Sequence, residues 1–154
     1  MSSRVVTFVV ALLLIGAQPV IASEEEIHAW KKVTVVADAG KLGEVVVIAE
    51  STTGAKAAIT SLSVKVQGKA IVVPRPALQE VPGLQLHTLQ VRSEAGYDKD
   101  PWLYVVFDRW RPNRPAAIVA ETVHFAIQTG KLKHRSISLR DKRGQTKWEK
   151  KDFK

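Results

Sequence analysis

Side-chain alternation with a period of two limits this chain more than any other feature. From Val33 onward apolar, often β-branched residues recur at every second place, broken by short glycine or proline punctuation. No long window carries apolar residues at helical spacing. Residues 33–37 and 45–49 are nearly continuous apolar runs, as expected of central strands covered on both faces. Leu62, Val64 and Val66 alternate with Ser63, Lys65 and Gln67, so that strand has one dry and one wet face. Gly68-Lys69 reads as a tight turn with glycine at its first central position, and residues 70–73 return as the second arm of a hairpin.

Pro74, Pro76, Pro82 and Gly83 interrupt this pattern, and the stretch after Pro76 can form one helical turn that Pro82 stops. Between Leu84 and Arg92 the apolar phase slips, from Leu84 and Leu86 to Leu89 and Val91. A bulge near His87 and Thr88 would restore the register. Residues 102–107 form another apolar strand. Residues 116–129 form a long one, with Ala117, Val119, Val123, Phe125 and Ile127 assigned to one face. Gly130-Lys131 turns the chain, Ile137 and Leu139 mark a further strand, residues 141–144 turn again and residues 146–153 close the fold. The expectation is an all-β single domain over residues 23–154, a β-sandwich of eight or nine short strands with immunoglobulin-like proportions.

The first 22 residues read as a signal peptide. Arg4 supplies a positive start, residues 5–15 an apolar run interrupted only by Thr7, and Val20 and Ala22 the small-residue approach to cleavage before Ser23. That run is too short to span a membrane, which needs about 20 apolar residues. There is no cysteine, so disulfides, thiolate metal sites, a nucleophilic thiol and an acylated lipoprotein anchor are all excluded. An exported protein of a bacterial periplasm or exterior fits best.

The net charge of +8 is unevenly placed. Residues 23–130 carry as many acidic as basic side chains. The segment 131–154 concentrates Lys131, Lys133, Arg135, Arg140, Lys142, Arg143, Lys147, Lys150, Lys151 and Lys154 against only Asp141, Glu149 and Asp152. Lysines on a terminal strand can protect a sheet edge from pairing with a neighbour. They can also form a face for an anionic ligand. A second basic feature is the loop 109–115, where Arg109, Trp110, Arg111 and Arg114 fall within seven residues that Pro112 and Pro115 fix. Guanidinium forks grip phosphate or carboxylate and an exposed indole stacks on a ring. In the competing reading Trp110 plugs the sandwich rim and the arginines pair with Asp108 or Glu121.

No Gly-x-Ser-x-Gly elbow, His-Glu-x-x-His motif or phosphate-binding glycine loop occurs, so an enzyme is disfavoured and no cofactor is expected. His28, His87, His124 and His134 read as unrelated surface histidines, with His124 on the more polar face of its strand, and no metal site is expected. Asp98 and Asp100 form a carboxylate-bearing turn that lacks the remaining ligands of a calcium loop. The envelope compartment disfavours nucleic acid, and the lack of a basic amphipathic helix argues against membrane insertion.

Two functions stand. One is a non-enzymatic binding module of the bacterial cell envelope whose basic C-terminal face, with the 109–115 loop, contacts an anionic envelope polymer or an acidic protein. The other is a periplasmic inhibitor or immunity-type protein acting through residues 109–115.

Overall fold

A computed structural model describes residues 8–10, 32–52, 58–95 and 100–154. Most of the expected leader, with its cleavage position, and His28 and Asp98 lie outside the described residues. The chain is mostly β, with strands β1 (Phe8–Val10), β2 (Lys32–Asp38), β3 (Glu44–Ser51), β4 (Ile59–Val66) and β5 (Lys69–Val72) ahead of one short helix, α1 (Arg75–Gln79). After it come β6 (Gln90–Glu94), β7 (Trp102–Arg109), β8 (Ile118–Gln128), β9 (Lys131–Asp141) and β10 (Thr146–Asp152).

These strands form two antiparallel sheets, in the orders β1-β2-β3-β4-β5 and β10-β9-β8-β7-β6. Each strand therefore pairs with its neighbour in sequence. Both sheets are up-and-down meanders, unlike the Greek-key exchange of strands in an immunoglobulin domain. Alternate residues of both sheets, among them Val35, Val47 and Val64 of the first and Val105, Phe107, Val123 and Phe125 of the second, are buried in one hydrophobic core. The arrangement is sandwich-like. Phe107 and Phe125 meet edge to face across β7 and β8, with ring centroids 6.2 Å apart.

Two differences from the sequence pattern have clear physical causes. Strands β2 and β3 are buried on alternate residues, not on both faces. Their continuous valines come from the preference of β-branched residues for a pleated surface, so Val36 and Val46 stay half-buried on the outer face. The phase slip near His87 is absorbed by a 3-10 turn at Leu86–Thr88 in place of a bulge, which lets Leu86, Leu89 and Val91 all reach the core.

The turns carry their own strain. Gln67 and Gly68 both have positive φ between β4 and β5, so glycine occupies the second central position and Gln67 the first. At the other end of the first sheet's crossover, α1 buries Ala77 and Leu78, with Pro74 preceding it as its N-cap. The helix is tied to the second sheet by Arg135 of β9, which donates to the Ala77 carbonyl at 2.7 Å and meets Glu80 at 3.0 Å.

Candidate functional site

The segment that follows α1 is stitched antiparallel to the end of β7. Trp110 N–H donates to the Gly83 carbonyl (2.9 Å), Gln85 N–H to the Asp108 carbonyl (2.9 Å), and Asp108 N–H to the Thr88 hydroxyl (2.8 Å). The backbone approach is so close that a Cβ on Gly83 would lie 1.9 Å from the Trp110 carbonyl oxygen, and Gly83 also takes φ +86°. Only glycine fits there, and its presence holds the start of the 109–115 loop in place.

Beneath the loop lies Glu121 of β8, whose side chain is wholly buried. Arg111 grips both its carboxylate oxygens, with Nε 2.9 Å from Oε2. Arg109 sits 3.9 Å from the same carboxylate and donates from Nε to the Pro82 carbonyl at 2.9 Å. The Glu121 hydrogen bonds raise the Arg111 pKa, whereas burial and then the neighbouring Arg111 charge lower that of Arg109. Two of the loop's three arginines are therefore engaged inside the fold by Glu121, one of the two partners anticipated for them. Trp110 does not plug the rim: it is 54% exposed.

This loop and the last hairpin meet at one end of the second sheet, where Lys142 N–H donates to the Ala117 carbonyl at 3.2 Å. Between them, on the sheet's outer face, runs a groove of about 550 Å³. Register explains who shares it. Asp108, Thr122, Ser138 and Trp148 stand in one row across β7 to β10, and Ala120, Arg140 and Thr146 in the next. Trp110 and Arg114 flank the groove from the loop, and Arg92 reaches it from β6. Trp148 is 58% exposed and lies 5.2 Å from the His124 ring. Burial, and then the Arg92 charge, push His124 down from 6.5 to about 4, so it is a neutral hydrogen-bonding group at neutral pH.

Arg92, Arg114 and Arg140 have no acidic partner among the described residues, while all the carboxylate capacity of Glu121 is directed at Arg111 and Arg109. The groove is thus positive, with two exposed indoles, hydroxyls from Thr122, Ser138 and Thr146, and one exposed carboxylate, Asp108.

Of the residues singled out from sequence, Arg109, Trp110, Arg114 and Arg140 line this groove, and Arg111 lies just behind it on Glu121. Lys142 and Arg143 form the exposed hairpin tip beyond it, where Asp141 accepts the Arg143 N–H at 2.8 Å. Lys147 opposes Leu139, so it is on the core side of an overhanging edge strand. Lys131 and Lys133 are at the far end of β9, and Arg135 is buried under Phe153, 5.7 Å from the ring centroid. Arg92, His124 and Trp148 were not linked to the site by sequence. Each lies on the outer parity of a different strand, and only strand pairing brings them together.

Among the described residues no group of three metal-ligating side chains occurs, and no helix is long and apolar enough to cross a membrane. No protein-family model matches the chain, and neither characterised proteins nor solved structures give a match.

Proposed function

We propose that this chain is an exported, non-enzymatic binding module of the bacterial cell envelope, and that its outer groove holds an anionic ligand or an acidic partner. In this reading residues 1–22, β1 included, are removed on export, and the sandwich of the remaining nine strands, β2 to β10, of immunoglobulin-like proportions, is a rigid scaffold. One observation carries it: Arg92, Arg114 and Arg140 line a single groove with no acidic partner among the described residues. Unpaired guanidinium groups repel one another and gain most when an anion joins them.

A second reading, an inhibitor that inserts residues 109–115 into a target, is favoured by how firmly that loop is held. The Arg111–Glu121 pair and the Trp110–Gly83 contact preorganise it, which lowers the ordering cost of binding.

Capture from the envelope fraction of the producing cell, at low and high salt, tests both. Capture of an acidic polymer or protein that is lost in high salt and in the variant with Arg92, Arg114 and Arg140 all changed to Glu supports the groove. Capture of one enzyme, retained in salt and in that variant but lost on Trp110→Ala, contradicts the groove and supports the inhibitor.

A further inference from the structure

We infer that the anion held by the groove is an acidic polysaccharide, its sugar rings stacked on Trp110 and Trp148 and its acid groups on Arg92, Arg114 and Arg140. This rests on the anion-binding reading of the groove and names the class of ligand. The groove's charge alone would suit any polyanion. The rest of its lining is more selective.

Two indoles at opposite walls, 54% and 58% exposed, are flat apolar surfaces left in water at some cost. A sugar ring presents a flat C–H face that covers an indole and a rim of hydroxyls that needs polar partners. The groove floor supplies such partners in Thr122, Ser138 and neutral His124, which can donate or accept. Asp108, exposed at the wall, can accept from hydroxyls but would repel a chain such as polyphosphate, charged at every backbone phosphorus.

An acidic peptide suits the groove less well. Its backbone needs hydrogen bonds, usually from an open sheet edge. Here the floor is the face of β7 to β10: β7, β8 and β9 are paired on both sides in the ladders, and the open edge of β10 points along the plane of the sheet, not up into the groove. Side chains alone are on offer, and they are the set that recognises sugars: a ring platform, hydroxyls and forks for carboxylate or sulfate.

The test is a titration of the full exported chain, read by tryptophan fluorescence and by calorimetry, with four probes: polygalacturonate, neutral dextran, polyglutamate and polyphosphate. Polygalacturonate is expected to bind and to perturb the tryptophan emission, with Trp110→Ala and Trp148→Ala each weakening it about tenfold, a loss of about 1.4 kcal/mol. Dextran is expected to bind at least about tenfold more weakly, and polyglutamate and polyphosphate to be insensitive to the tryptophan changes. If all three polyanions bind alike and neither tryptophan matters, the polysaccharide inference falls and the anionic groove stands. If no polyanion binds, or if binding survives the arginine changes, the reading of the groove falls with it. Circular dichroism of each variant separates loss of a contact from loss of the fold, and Trp110→Phe, which keeps a ring, is expected to restore most of the binding.

Discussion

Glu121 shows how one side chain can decide the shape of a site it does not directly serve. Its strand position shares the inward parity of core residues Val123 and Phe125, so it is placed where an apolar residue would be expected, and its charge is tolerable only because Arg111 and Arg109 come to it. Glu121→Gln is expected to lower the unfolding free energy by about 3 kcal/mol in urea titration, with the denaturant slope unchanged, because a half-buried guanidinium is left unneutralised. Gly83→Ala is expected to cost more than about 1 kcal/mol and to change the emission of Trp110, since the new Cβ must push the Trp110 carbonyl away. His124 adds a pH term. Its folded value, about 4, lies below the ordinary 6.5, so the unfolded chain binds more protons between those values and stability falls as pH drops through that window. His134 is shifted in the same direction, chiefly by burial. His124→Gln is expected to flatten the melting temperature between pH 6.5 and 4 relative to the parent, and an unchanged profile would contradict the burial of that imidazole.

At the scale of elements, alternation located the strands well because each sheet has one dry face, and period two is the direct imprint of that. Pro74 and Pro76 marked α1, and Gly130 and Gly144 marked turns, because proline and glycine act locally. Register was not legible. Val119 was assigned with Val123 and Phe125, yet β8 outruns the core and a register shift near residues 118–120 leaves Val119 42% exposed on the groove. The basic segment likewise looked uniform along the chain. Pairing divides it: Arg140 lies on the groove, Lys147 and Lys151 on the opposite parity, and Arg135 in the interior. Arg135 and Lys151 both engage Glu80, which holds that carboxyl below its usual range, through Lys151 first and Arg135 second. Arg135 is buried and also serves the Ala77 carbonyl, whereas Lys151 is exposed. Arg135→Ala is therefore expected to cost about 2–3 kcal/mol in thermal or urea unfolding, and Lys151→Ala less than about 1 kcal/mol.

For the whole molecule, the meaningful quantity is where positive charge is left unpaired, not the total of +8. Salt bridges absorb Arg109, Arg111, Arg135 and Lys151 into the fold, and the second meander brings three of the other guanidiniums, those of Arg92, Arg114 and Arg140, to one groove on its outer face that runs to the loop end of the sheet. That end also bears the exposed indoles, so charge and ring surface coincide. A general attraction between a basic protein and any polyanion would not depend on which end was altered. The most direct measurement is the dissociation constant for polygalacturonate at fixed salt, compared between two variants that remove equal charge: Arg92, Arg114 and Arg140 to Ala, and Lys131, Lys133 and Lys69 to Ala. The groove variant is expected to bind at least about thirtyfold more weakly than the parent, about 2 kcal/mol, while the distant-lysine variant stays within about threefold. Equal weakening in the two variants would contradict a localised site and reduce the interaction to bulk charge.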